Sequence, residues 1–340
     1  MSFDVSQLRH DYGDALEEAR VCRRAAALFD FSFVARGAVS GPGALRSVQR
    51  LTTRRLDRMR RGDIAYGLRE DAAGRLLADL TIWRLDETTF ELMSGRREDV
   101  AFLVAHAEDC AASDLSDETA IFAVQGPHAL AALCSLGAPA ELRELPYFRH
   151  ATITLAGLSC RVGRLGYTGE PGFEIIAARC DGAQLWSELS ARVPCAGFAA
   201  ANILRIEAGF LLFANELRIP VTAVEAGVRQ FATANSGGGP RGTAPDRCQI
   251  VTFRAEAQQT PPLWMPSAQP SRPQHPGVLV ATSACPSPLV QGTLGLGYVL
   301  LADLERTPRP TFVSREFGRV EILAHPFFDT AKQRPRALWP

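Results

Sequence analysis

Arg161-Val162-Gly163-Arg164-Leu165-Gly166-Tyr167-Thr168-Gly169-Glu170-Pro171-Gly172-Phe173-Glu174-Ile175-Ile176 sets glycines and two carboxylates around Tyr167, ahead of an apolar segment that alternates with Glu174. The pattern predicts a turn feeding a strand. Gly169 and Gly172 accept positive φ without Cβ strain, and Pro171 presets its own φ. The backbone can therefore reverse tightly and direct Phe173, Glu174 and Ile175 into extended chain. Alternation along that strand sends Glu174 to the face opposite Phe173 and Ile175. A carboxylate held in this way can accept two parallel N–H bonds from a planar amidine-like edge, such as the 2-amino and ring N–H of a pterin. The same residues also read as a glycine-rich hairpin turn with a solvated glutamate beside it.

The rest of the chain sets bounds. At 340 residues it exceeds the roughly 250–300 at which one core stops growing, so two or three domains are expected. Hydrophobic residues at 46% and charged residues at 22% are an ordinary soluble composition. With 37 basic and 37 acidic side chains, no net field draws the protein to nucleic acid or to an anionic membrane. The arginine-rich run from Arg46 to Arg61 reads either as a solvated helix surface or as a local basic face. The first residues show no basic segment leading into an apolar core, and no uncharged run approaches the ~18 residues that span a bilayer. A cytoplasmic location is expected. Eight widely spaced cysteines form no Cys-x-x-Cys pair, and His128 and His150 lack partners at ligand spacing, so no metal site is expected.

Periodicity predicts helices over 14–28, 43–55, 98–107, 127–136, 181–193 and 199–208, with Pro127 at a first helical position. It predicts strands from the segment ending at Val39 and over 64–68, 76–84, 88–93, 152–155, 160–162 and 173–176. After Ala232 the chain turns rich in Gly, Pro, Ser and Gln at 235–245 and 260–276, which marks a linker and a long loop. Short β-like runs at 249–254, 277–282, 295–301 and 319–323 describe a small all-β unit. The fold class is α+β, with α+β regions at 1–118 and 119–234, a linker at 235–247 and a β domain at 248–335.

The Tyr167 segment resembles the Tyr-Thr-Gly-Glu-x-Gly-x-Glu-Ile signature of the glycine-cleavage T-protein (aminomethyltransferase) family. Other stretches are similar to that family in the same order: Leu28-Phe29-Asp30-Phe31-Ser32, Val39-Ser40-Gly41-Pro42-Gly43-Ala44, Gln49-Arg50-Leu51-Thr52-Thr53, Ala73-Gly74-Arg75-Leu76-Leu77-Ala78-Asp79-Leu80, Ala123-Val124-Gln125-Gly126-Pro127, Leu204-Arg205-Ile206-Glu207-Ala208-Gly209 and Thr282-Ser283-Ala284-Cys285-Pro286. The resemblance implies two intertwined α+β folate-binding domains and a C-terminal β-barrel around a folate pocket. It also implies tetrahydrofolate, in the 5,10-methylene or a related form, as the one-carbon acceptor. The donor it implies is a small molecule or is carried on the arm of a lipoyl carrier protein.

By the same resemblance Glu174 falls on the pterin-reading glutamate and Tyr66 on a pocket-lining tyrosine. Tyr167 and Gly169 shape the turn beside it, and Asn215 lies in a loop near the pocket. The family's catalytic aspartate, the first of an Asp-Asp pair, falls on Ala78, which leaves Asp79 as the candidate catalytic group. Neighbouring strand residues face opposite sides, so Asp79 is expected to need a bulge or register change to take that place. Phe33 stands where the family has a histidine and Ala201 where it has a folate-holding arginine. Arg205 and Glu207 read as structural. The expected function is a tetrahydrofolate-dependent one-carbon transferase with a donor other than the usual glycine-cleavage intermediate. A folate-binding protein without transfer activity and a tetrahydrofolate-dependent demethylase are the alternatives.

Overall fold

The computed structural model describes residues 4–232, 247–256 and 260–339. The chain builds two five-stranded sheets and a closed barrel. In the first sheet the order is β3 (Ile64–Glu70), β4 (Leu76–Arg84), β5 (Thr89–Ser94), β2 (Ala35–Ser40), β6 (Ala111–Asp114). In the second it is β1 (Ala27–Asp30), β7 (Thr119–Gln125), β10 (Gly172–Ala178), β9 (Leu158–Gly163), β8 (His150–Leu155). β1 precedes β2 in the chain but pairs with β7, Ala27 opposite Gln125, so the two α+β sheets are interwoven. β11 (Cys248–Ala255), β13 (Thr293–Leu300), β12 (Val278–Pro286), β14 (Phe312–Ser314) and β15 (Gly318–Leu323) close the barrel. This is the α+β fold with a C-terminal barrel that the sequence predicts. The linker expected at 235–247 lies, apart from Arg247, outside the described residues.

β7 reads Thr119-Ala120-Ile121-Phe122-Ala123-Val124-Gln125 and is buried at every position, as a strand covered on both faces must be. One of its faces packs with Leu133, Leu185 and Phe173; the other meets Phe29, Phe31 and Ile203. Ile203 belongs to α6 (Phe198–Glu207), whose residues are all buried because the helix is wedged between α1 (Ala15–Arg24), the sheets and the barrel. α1 is capped by Asp14, whose carboxylate accepts from the N–H groups of Leu16 and Glu17, and it ends in Arg23 and Arg24 as the helix dipole favours. Arg205 of α6, fully buried, donates to Asn202 Oδ1 at 2.9 Å, Glu216 Oε2 at 2.7 Å and Ser283 Oγ at 2.6 Å, tying the helix to β12. That is the structural role read for Arg205 from sequence.

Three local expectations differ. The helix predicted over 43–55 stops at Gln49, where the Gln49 carboxamide donates to the carbonyls of Thr52 and Arg54 and accepts from Leu56 N–H. Its side chain thus supplies the hydrogen bonds that a continuing helix would make, and 50–61 is irregular. The basic run therefore lies mostly on a loop, not on a helix surface. The predicted helix over 14–28 ends at Arg24, because Ala27–Asp30 pairs with β7. Pro127 precedes its helix (Ala129–Cys134) instead of opening it, since Gly126, at φ 128°, turns the chain back to bond Pro171 O.

Candidate functional site

The turn identified in the sequence is assembled around one side chain. Gln125, at the end of β7 and fully buried, donates from Nε2 to Leu165 O at 3.2 Å and Phe173 O at 3.3 Å, and its Oε1 accepts from Thr168 Oγ1 at 3.0 Å. Gly166 and Gly172 lie against this carboxamide. A Cβ on Gly172 would stand 2.6 Å from Gln125 Cδ, and one on Gly166 would overlap Oε1. The glycines are therefore required by close approach as much as by turn geometry. Gly169, at φ 76°, packs on Ala208 and does not reach the cavity described below.

The two carboxylates around Tyr167 part company. Glu170 is buried and ion-paired, at 2.6 Å to Arg23 Nη1 and 2.7 Å to Arg334 Nη2. Arg23 also pairs with Glu207 at 2.5 Å, and Glu207 accepts from Ser287 Oγ. This network fastens the turn to α1, to α6 and to the C-terminal tail, so Glu170 and Glu207 are structural. Glu174 lies on β10 between Ala123 of β7 and Gly163 of β9 and faces an inner chamber of ≈ 190 Å³. Its carboxyl group takes no hydrogen bond or ion pair from the described residues, and burial pushes its pKa up to about 7.

Asp79 faces the same chamber. Tyr66, on the neighbouring strand, donates its hydroxyl to Asp79 Oδ2 at 3.0 Å, which opposes the effect of burial; the carboxyl pKa still rises to about 6. Ala78 is fully buried and points away. A register shift does occur: Arg69 pairs with Ala78 and Glu70 with Leu76, so Leu77 is the extra residue. Beyond it alternation is regular, and Asp79 and Thr81 line the chamber together. With that register shift, the change the sequence reading asks for, Asp79 is the cavity-facing member of the Ala78-Asp79 pair.

Tyr66, Asp79, Gly166 and Tyr167 form a neck to an outer chamber of ≈ 320 Å³. Tyr167 donates to Leu211 O at 2.6 Å and stacks on Phe210 with centroids 6.0 Å apart. Lys332 lies over the Phe210 ring, its Nζ 4.4 Å from the ring centroid. Burial, and secondarily Arg336, lowers the lysine pKa to about 8. Arg54, Lys332 and Arg336 all line this chamber, and none has an ion-pair partner among the described residues. Arg54 belongs to the arginine-rich run that the sequence offers as a local basic face, whereas Lys332 and Arg336 carry no such signal. Lys332 and Arg336 lie on a tail that returns from the barrel, held by the Arg334–Glu170 pair and by Trp339 stacked on Phe173, and such long-range placement leaves no local signal. Asn215 lines neither chamber; it donates to Ser283 Oγ at 2.8 Å behind the Arg205 network. Phe33 forms the inner wall, edge-on to Phe31 and Phe198.

Two carboxyl groups with pKa values near neutrality thus share one apolar chamber, the condition under which a carboxyl group serves as acid or base at neutral pH. The two chambers together fall within the roughly 300–1,000 Å³ of small-molecule pockets. Glu174, unpartnered, aimed into the inner chamber and followed by an aromatic neck and a cationic outer chamber, fits a ligand with an N–H-bearing planar head and an anionic tail. Among the described residues no helix is long and apolar enough to cross a membrane.

Residues 7–236 match the family described as GCVT N-terminal domain. An aminomethyltransferase of Shouchella clausii is 34% identical over 239 residues, covering 67% of this chain and 65% of that protein. The chain thus spans slightly under two thirds of that relative, and 64% of another from Corynebacterium aurimucosum. An aminomethyltransferase of Streptomyces avermitilis is 30% identical over 310 residues, covering 85% of this chain and 82% of that protein. The crystal structure of the glycine cleavage system aminomethyltransferase T from Bartonella henselae aligns with a TM-score of 0.73 at 24% identity, over 96% of this chain and 91% of that one, and so shares the fold.

Proposed function

The chain belongs to the GCVT family of aminomethyltransferase T-proteins, and from that premise we propose that it transfers a one-carbon unit to tetrahydrofolate. The single observation that carries the reading is Glu174, an unpartnered, half-buried carboxyl group facing the inner chamber. When bound, tetrahydrofolate would supply the nucleophilic ring nitrogen that takes up the carbon. Glu174 accepts the 2-amino and ring N–H of the pterin, and that contact stabilises its ionised form. Tyr66 and Tyr167 flank the passage, and Lys332 with Arg336 neutralises the tail carboxylates. Asp79, held by the Tyr66 hydroxyl, receives or returns a proton at the reacting centre.

The Asp79–Tyr66 pair in the chamber favours a transferase over a folate-binding protein without chemistry, because binding alone needs no second carboxyl group of raised pKa there. The donor is an amine-borne carbon, free or on a lipoyl carrier arm. The hydrocarbon wall at Phe33 supports one other than the usual glycine-cleavage intermediate, and a tetrahydrofolate-dependent demethylase remains a subclass of this reading. Calorimetry with reduced folate tests the core claim. Binding to the intact protein that is lost in Glu174→Ala is the expected result, and no heat of binding with the intact protein refutes it. Turnover with aminomethyl and N-methyl donors then separates transferase from binder.

A further inference from the structure

After β15 the chain forms no further strand or α-helix among the described residues. Residues 324–339 return from the barrel to the second sheet with one short 3-10 turn at Arg334–Arg336, and they supply Lys332, Pro335 and Arg336 to the wall of the outer chamber. Side chains, not a ladder, hold this segment down. Phe328 donates its N–H to Glu207 O at 2.8 Å, and its ring lies 3.6 Å from the Arg23 guanidinium and 5.2 Å from that of Arg334. Arg334 itself bonds Glu170 Oε2 from Nε at 3.1 Å and from Nη2 at 2.7 Å. At the far end Trp339 stacks on Phe173 with centroids 4.9 Å apart. That anchor is incompletely satisfied: Arg164 Nε and Trp339 Nε1 are buried without a hydrogen-bond partner among the described residues, which offsets part of what the stack contributes. Between barrel and latch, Asp329 and Lys332 stand at φ 49° and 50°, in the left-handed region that costs any residue with a Cβ.

The charges of the chamber also act on the segment. Apart from Asp79 at the neck, the charged groups on the lining are Arg54 on the body and Lys332 and Arg336 on the segment, so an anion placed among them relieves a repulsion that the empty chamber leaves standing. We propose that residues 324–339 form a strap over the ligand path, hinged at Asp329–Lys332, with Arg334 as its latch. Arg334 is thus a positioning residue: its pair with Glu170 sets Lys332 and Arg336 against an anionic tail, and the bound tail draws the strap shut because it binds the closed form better. Glu170 belongs to the turn that phases Glu174 on β10, so one ion pair ties the cations at the tail end of the path to the carboxylate at its head end. The identity of the ligand rests on the folate reading; the strap and its latch do not.

Two readouts test this. Calorimetry compares 6-methyltetrahydropterin, which has the head without a tail, with tetrahydrofolate, on the intact chain, Arg334→Gln and Arg334→Lys. Hydrogen exchange follows 324–339 in the same proteins, free and with tetrahydrofolate. Partly exposed ion contacts are individually weak, so Arg334→Gln is expected to lose roughly five- to tenfold in tetrahydrofolate affinity. It keeps its affinity for the pterin, which also reports that it is folded, and Arg334→Lys recovers most of the loss. In the free intact chain 324–339 exchanges faster than β10, Arg334→Gln speeds it further, and tetrahydrofolate slows it. An equal loss for both ligands in Arg334→Gln overturns the inference, because it shows a latch that merely supports the turn. Unchanged tetrahydrofolate affinity in that variant overturns it too. Exchange of 324–339 as slow as that of β10 in both free proteins overturns the strap whatever the ligand does. Failure of both ligands to bind the intact chain overturns the functional reading, and the exchange of the free proteins still decides the strap.

Discussion

Replacing Glu174 by glutamine separates what this residue does for the ligand from what it does to the fold. Its pKa stands at about 7 against an ordinary 4.5, because burial opposes the charged form and no cation in the chamber compensates. The unfolded chain loses that proton near pH 4.5 and the folded chain holds it until about pH 7, so the folded state binds more protons between those values. Folding stability of the wild type therefore falls as pH rises through this window. Each pKa unit is worth about 1.4 kcal/mol, which puts the full effect above neutrality at up to about 3 kcal/mol. Glu174→Gln is nearly isosteric and has no charge to bury. Its stability advantage over wild type should be small near pH 5 and grow to about 2–3 kcal/mol near pH 8. Asp79 contributes in the same direction but is common to both proteins and cancels in the difference. Urea unfolding at the two pH values measures the gap, and calorimetry with reduced folate should show affinity lost in the same variant. A gap that is the same at both pH values would refute the reasoning, because it would mean that Glu174 is ordinarily solvated.

Asp79→Asn should leave folate affinity within a few-fold while turnover falls by about 10²–10⁴; single-turnover kinetics with a competent donor reads both. Arg205→Ala should cost about 3–5 kcal/mol in denaturant unfolding, since it leaves Glu216 buried without its cation. Gly166→Ala should cost about 1–3 kcal/mol by pressing a methyl group into the Gln125 carboxamide, seen as a lowered Tm; a neutral result would show that Gln125 does not organise the turn.

Much of this molecule is written in local patterns. β3, β4 and the strand after the Tyr167 turn follow from alternation, and four of the five barrel strands, all but β14, from short apolar runs between turn residues. Glu174 was legible because the turn fixes its phase on β10. The face of Asp79 was not, because it depends on Leu77 being extra opposite Arg69 and Glu70, a register fact between two strands. Glu170 looked like the equal of Glu174 in sequence and became structural through Arg23 and Arg334, which lie 147 and 164 residues away. Gln125 stood out in the sequence only as part of the Ala123–Pro127 stretch, whereas three hydrogen bonds at one side chain make it the organiser of the turn. For Glu170 and Gln125 the deciding partner is distant in the chain, for Asp79 it lies across a hairpin, and hydrophobic periodicity carries no information about either.

Of the 37 basic residues in this sequence, 36 are arginine and one, Lys332, is lysine. Guanidinium groups stay protonated and unreactive toward acylating and reductive-alkylating reagents, whereas an amine with a pKa of about 8 offers a free lone pair in mildly alkaline buffer. Apart from any terminal amine, a reductive-alkylating reagent meets one target in the sequence, and that target stands on the wall of the outer chamber. A fluorophore or photo-cross-linker can therefore be seated beside the ligand path without engineering a cysteine or removing competing sites, and protection of that amine by a bound molecule becomes a direct mass-spectrometric readout of occupancy.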